Sequence, residues 1–240
     1  MILLHGAYMT ADMMAPLTSG LTGRQVIVPE LEGHGRTALA DRPLSYEQMA
    51  DDVAGLAAEL GFDRVDVAGY SMGGAAALQL AIRHPAKVNK LVAASVAYDA
   101  KGMQPAFTAM IPSMTPEMFT NTPLPAEYKK LAANPNGFPE LARKLIQLEK
   151  EPMAWEADVR KLKTPVLIIA GDADVATLEH TVSLFRLLGG GEPGDMGKPL
   201  AASRLAVLPA TSHTAVITQP DLLIAFIEPF LKGETPKGMF

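Results

Sequence analysis

The sequence has no cysteine in 240 residues. That absence excludes disulfide bonds, thiolate zinc sites, iron–sulfur clusters and a thiol nucleophile. It fits a reducing compartment, and a cytoplasmic location is the expectation. Long apolar runs are also missing, since none reaches the roughly 18 residues a membrane span needs. The opening residues, Met1-Ile2-Leu3-Leu4-His5-Gly6, have neither a basic start nor an extended apolar stretch, so they do not read as a secretory signal. No block of basic residues stands out. Lys plus Arg number 21 against 26 Asp plus Glu, which argues against nucleic acid or a membrane surface as partner. What is present is apolar residue enough for a core: the hydrophobic share is 48%, which excludes global disorder. Twenty Gly and 19 Pro are too dispersed for a low-complexity chain. At this length one domain is favoured, because α/β domains commonly run to about 250 residues.

Short apolar runs alternate with helical patterns. Ile2 to Leu4, Gln25 to Val28, Val65 to Gly69, Lys90 to Ala94, Pro165 to Ala170 and Arg204 to Leu208 read as strands. Ser45 to Gln48 reads as a capping box, with Met49, Val53, Leu56 and Leu60 behind it at helical spacing and Gly61 suited to the position after the helix. Met72 to Arg83, Thr177 to Leu188 and Asp221 to Leu231 are further helices. This alternation predicts parallel βαβ units with helices on both faces of a sheet. Strands buried on both faces are expected to be continuously apolar.

Two stretches break the pattern. Lys101 to Lys163 carries eight Pro and five of the 13 Met, with a helical segment from Pro139 to Glu149. It reads as a small lid over residues 101–160, inserted between core segments 1–100 and 161–240. The plainer alternative is a long connection that only packs. Gly189 to Pro199 is rich in Gly and reads as a mobile surface loop.

Gly69-Tyr70-Ser71-Met72-Gly73 follows a strand and opens a helix. A serine on such a sharp turn crowds its neighbours, and Gly on both sides removes the Cβ atoms that would clash. The hydroxyl is lifted to the positive end of a helix. The alternative is a Gly-rich turn with a bystander Ser. A serine hydroxyl needs a base, usually an imidazole held by a carboxylate. Of five histidines, His213 lies just after the last predicted strand, on the edge where the Ser71 turn lies. His84 reads as a surface or capping residue, His180 lies inside a helix, His34 shapes a turn or borders the pocket, and His5 braces the first loop. Gly171-Asp172-Ala173-Asp174 follows the strongest strand. Either carboxylate could serve. Asp174 is favoured, because Asp172 suits local backbone hydrogen bonds. An oxyanion needs donors: the backbone N–H of Met72, next to the nucleophile, and that of Ala7, by its position in the loop after the first strand.

Taken together, His5-Gly6, Gly69 to Gly73, Gly171 to Asp174, Ser212-His213 and the loop Pro29 to Thr37 resemble the α/β-hydrolase superfamily from Ile2 to about Leu231. The chain order Ser71, Asp174, His213 is also the order of that family. The resemblance implies an α/β-hydrolase fold, a mostly parallel sheet with helices on both faces and a small helical lid. One departure is plain: family members usually carry two further strands before the first one here. By implication the first antiparallel hairpin is lacking and Gln25 to Val28 is a sheet edge. An open edge invites covering, so a homodimer through it is one expectation and a truncated chain another.

The implied activity is hydrolysis of small to medium carboxylic esters through an acyl-enzyme on Ser71. No cofactor or metal is called for. Met110, Met114, Met118 and Trp155 are expected to border an apolar acyl pocket. The same triad serves lactonases, carbon–carbon bond hydrolases, perhydrolases and acyltransferases, and a binding protein could keep the pocket without turnover.

Overall fold

The exchange of apolar runs and amphipathic stretches becomes an alternation of strands and helices in the computed structural model, which describes residues 1–194 and 199–235. In chain order these are β1 (Ile2–Leu4), α1 (Ala15–Gly20), α2 (Tyr46–Glu59), β2 (Val65–Tyr70), α3 (Met72–Arg83), β3 (Val88–Ala94), α4 (Pro105–Met110), α5 (Leu124–Leu131), α6 (Phe138–Lys150), α7 (Glu156–Val159), β4 (Val166–Ala173), α8 (Leu178–Leu187), β5 (Arg204–Ser212), α9 (His213–Val216) and α10 (Pro220–Lys232). The five strands lie side by side in sequence order, and every neighbouring pair is parallel.

Strand periodicity explains why both faces are covered. Ile2, Leu4, Val67, Leu91, Val166 and Ile168 join a core shared with α2, α3 and α6. The intervening Leu3, Ala68, Val92, Leu167 and Ile169 join a second core with α1 and α10. Successive side chains of a strand point to opposite faces, so an unbroken run such as Val166 to Ala170 is what two covered faces require.

The chain moves outward from β1 through α1 to Ile27, then returns through α2 to β2. Right-handed crossovers in opposite directions put the two helices on opposite faces. The reversal opens a crevice at the carboxyl ends of β1 and β2, the usual place for a ligand in such sheets. Ile27 runs beside β1: its N–H donates to Met1 O and its carbonyl accepts from Leu3 N–H, both at 2.9 Å. The strand predicted over Gln25 to Val28 is therefore reduced to a single parallel bridge, Ile2 to Ile27. Pro29 ends the run, and no described strand lies outside Ile27 to extend a ladder. The described sheet holds no antiparallel hairpin.

The helix signals act locally as their chemistry suggests. Ser45 Oγ accepts the Gln48 N–H at 3.1 Å. The Gln48 side chain instead donates to Asp52 Oδ1 at 2.8 Å, so half of the capping box forms. Gly61 follows the helix at φ 77°. Between β3 and β4 the chain leaves the sheet as α4 to α7. Of these, α6 buries Phe138, Leu141, Leu145 and Leu148 against the body of the protein. Residues 195–198, within the stretch read as a surface loop, lie outside the described residues. Among the described residues no helix is long and apolar enough to cross a membrane.

Candidate active site

Ser71 sits between the end of β2 and the start of α3 with φ 53° and ψ −122°. L-residues seldom adopt this backbone conformation, and such strain persists only where surroundings enforce it. Here its N–H donates to Ala94 O at 2.9 Å and its carbonyl accepts from Ala75 N–H at 2.9 Å. The flanking glycines are sterically required. A Cβ on Gly69 would collide with the Gly73 carbonyl, and one on Gly73 would lie 2.5 Å from the carbonyl oxygens of Leu4 and His5.

His213 opens α9 directly after β5. Its Nε2 lies 2.9 Å from Ser71 Oγ, and its Nδ1 lies 2.6 Å from Asp174 Oδ1. A carboxylate only accepts, so Nδ1 carries the proton and Nε2 is free to accept the serine hydroxyl. Tyr70 donates its hydroxyl to the His213 carbonyl at 2.9 Å, fixing the residue's backbone as well as its ring.

Asp174 is buried. Desolvation works to raise its carboxyl, but hydrogen bonds from His213 and Ser95 outweigh it and hold the group below the usual aspartate range. The Ser95 hydroxyl donates to Asp174 Oδ2 at 2.7 Å, while the N–H groups of Val175 and Gly171 donate to the two oxygens at 2.7 and 3.3 Å. Asp172 points elsewhere. Its carboxylate accepts from Ala210 N–H at 2.8 Å and Thr211 N–H at 2.9 Å. It straps the end of β5 that leads to His213, where Ala210 has φ 51°. The sequence reading separated the two aspartates in this same way, though Asp172 bonds across to β5 and not within its own turn.

The first loop is braced by two neutral imidazoles. His5 Nε2 accepts from Leu31 N–H at 3.1 Å, and His34 Nε2 accepts from Tyr8 N–H at 3.2 Å. Burial depresses both histidines, His34 to about 3. Met72 lines the cleft beside Ser71. Ala7 lies on the braced loop, which the Gly73 contact places against the first turn of α3, but it is not among the residues lining the cleft. His84 pairs with Asp51 at 2.7 Å. His180 stacks on Tyr98 with ring centroids 4.0 Å apart. Neither approaches the Ser71 turn closely enough to line the cleft.

The cleft is narrow, about 80 Å³, and mostly apolar, with Tyr46, Met103, Phe107, Met153 and Val175 among its walls. The sequence reading named Met110, Met114, Met118 and Trp155 instead, and the structure corrects all four. Met110 and Met118 are exposed, Met114 does not reach the cleft, and Trp155 is buried edge-on behind Tyr46 at 5.5 Å. An amphipathic segment of many short turns leaves its facing residues undetermined until the turns are known. Three residues escaped the reading: Ser95, Tyr70 and Glu149. Ser95 follows β3 directly at a strand end, which is a weak signal. Glu149 only closed the predicted helical segment from Pro139 and carried no further signal.

A family model described as the alpha/beta hydrolase family matches residues 1–226. The 2-hydroxy-6-oxo-2,4-heptadienoate hydrolase of Pseudomonas putida is 28% identical over 236 residues, covering 88% of this chain and 79% of that protein. The pimeloyl-[acyl-carrier protein] methyl ester esterase of Aromatoleum aromaticum is 42% identical over 93 residues, 38% of this chain and 35% of that one. A solved meta-cleavage product hydrolase from Pseudomonas fluorescens IP01 superposes with a TM-score of 0.76 at 19% identity, covering 97% of this chain and 90% of its own.

Proposed function

Because the chain belongs to the alpha/beta hydrolase family, we propose that it is a serine hydrolase cleaving small to medium carboxylic esters. Ser71 is the nucleophile, His213 the base, Asp174 the group that orients the base, and the backbone N–H groups of Met72 and Ala7 the oxyanion donors. The observation that carries the reading is the continuous relay Asp174–His213–Ser71, at 2.6 and 2.9 Å.

The Ser71 oxygen attacks the ester carbonyl while its proton passes to His213 Nε2. The carbonyl oxygen becomes an oxyanion facing the first turn of α3, where one donor is typically worth about 3 kcal/mol. The imidazolium, held by Asp174, returns the proton to the leaving alcohol as the carbon–oxygen bond breaks. Water then attacks the acyl-enzyme by the same route and releases the acid. The narrow apolar cleft supports a short acyl group. The same triad would serve cleavage of a carbon–carbon bond. The relative from Pseudomonas putida is named for a substrate that is a carboxylate, and among the described residues no Lys or Arg lines this cleft to receive one. That difference favours the ester reading.

The test is turnover of p-nitrophenyl esters from acetate to decanoate, with fluorophosphonate labelling of the nucleophile. Wild type is expected to favour the short esters by roughly tenfold or more. Ser71→Ala is expected to lose labelling and roughly 10⁴- to 10⁶-fold in kcat. Undiminished turnover in Ser71→Ala would remove the assignment.

A further inference from the structure

We propose that Glu149 selects the substrate: its carboxylate pairs with a cationic centre, an ammonium or quaternary ammonium group, and turns carboxylate-bearing esters away. The inference rests on the reading of Ser71 as nucleophile, since it concerns what that same cleft admits.

Glu149 lies in the last turn of α6. Other polar residues of this helix have partners: Arg143 pairs with Glu140, Lys144 donates to the carbonyls of Ala40 and Arg42, and Gln147 donates to Glu151 at 2.8 Å. Glu149 instead lines the cleft with Ser71, Met72 and His213. It has no hydrogen-bond or ion-pair partner among the described residues. The titratable groups around it are Tyr8, Tyr46 and His213. Among the described residues the cleft lining holds no Lys or Arg.

The Glu149 side chain is largely enclosed by the cleft walls, with both carboxyl oxygens unpaired and open to the cleft, and a carboxyl so placed loses part of its hydration. Burial accordingly pushes this one above the usual glutamate range. His213 offsets part of that shift, and the unpaired oxygens are left for whatever enters the cleft. A cation restores the charged form and satisfies the carboxylate at once, while a second carboxylate meets like charge in a site of low polarity. The rings of Tyr46 and Phe107 and the thioether of Met153 line the same space. Aromatic and polarisable groups of this kind accompany an acidic residue well in holding alkylammonium groups.

The experiment compares butyrylthiocholine with S-(3,3-dimethylbutyl) thiobutyrate, which replaces the quaternary nitrogen by carbon at nearly constant shape. The ratio of kcat/KM for the two is measured in wild type and in Glu149→Gln. Wild type is expected to favour the cation by about tenfold, the scale of one charge-assisted contact, and Glu149→Gln to bring the ratio close to one. A wild type indifferent to the charge overturns the proposal without any variant, as does an equal ratio in both proteins. Where neither thioester turns over, protection of Ser71 from a fluorophosphonate is read instead. Tetramethylammonium is expected to protect wild type better than neopentyl alcohol and to lose that advantage in Glu149→Gln; equal protection overturns the proposal. Failure of Ser71 to label at all sinks the nucleophile reading and this inference with it, whereas labelling without charge preference sinks this inference alone.

Discussion

At the scale of single residues, two aspartates two positions apart are placed differently because β4 ends between them: Asp172 is still in the strand beside β5, while Asp174 follows the irregular end of the strand and Ala173. Asp174 meets the imidazole at 2.6 Å, while Asp172 holds the N–H groups of Ala210 and Thr211. Asp174→Asn is expected to lower kcat on p-nitrophenyl butyrate by about 10⁴-fold, because an amide no longer enforces the required tautomer. Asp172→Asn keeps one acceptor oxygen for the end of β5 and is expected to cost less than roughly tenfold. An equal loss in both would mean that Asp172 orients the base. Asp174 was legible in the sequence because the carboxylate had to follow a strand end and the nearer aspartate suited backbone bonding. Ser95, Tyr70 and Glu149 were not. Their roles depend on which way a side chain turns after the chain has crossed the sheet, and neither residue type nor spacing records that. Ser95 touches Asp174 across 79 positions of sequence.

At the scale of elements, the strand–turn–helix unit from β2 to α3 was readable, since the turn itself leaves no room for a Cβ on Gly69. Its neighbour was not readable: the closeness of β1 to α3 appears only in three dimensions, as the 2.5 Å between a Cβ on Gly73 and two backbone carbonyls. Gly73→Ala therefore has to push the first loop away from Ser71. The expected result is a lower melting temperature together with a loss of ester turnover. Gly55 provides the opposite case. It lies in the exposed middle of α2, where a Cβ would meet no atom within 4 Å. Gly55→Ala is expected to stabilise by about 0.5–1 kcal/mol in urea unfolding with activity unchanged. A stable, fully active Gly73→Ala would contradict the steric account of the turn. The elements that the sequence misplaced share one property, a partner it could not name. Gln25 to Val28 has strand-forming residues but too few neighbours for a ladder. The methionines of residues 101–160 have helix-forming neighbours, but the turns between them decide which face looks inward.

At the scale of the whole molecule, acid sensitivity follows from where the imidazoles sit. His5 and His34 tie the loop after β1 to the loop around Leu31, each through an unprotonated Nε2. Burial depresses both, and the closeness of His5 adds to the effect on His34, which falls to about 3. In the unfolded chain both titrate near 6.5. Below that value the unfolded chain binds protons that the folded chain refuses, so stability declines as pH falls from 6.5 toward 3. It is fully present above 6.5. The slope reaches about 1.4 kcal/mol per pH unit for each histidine so displaced. Asp51, lowered to about 2, and Asp174 act in the same direction, but only once pH approaches their ordinary value near 3.8. Glu149, raised by burial, acts the other way, because the folded state takes up its proton first. The decline between pH 6.5 and 5 therefore belongs mainly to buried histidine. Urea unfolding across this range is expected to show stability falling with pH, and ester turnover should fail together with the loop that carries Ala7. In His34→Gln an amide oxygen can still accept the Tyr8 N–H but does not titrate, so the slope should be shallower. A slope identical to wild type would show that the braced loops are not what acid attacks first.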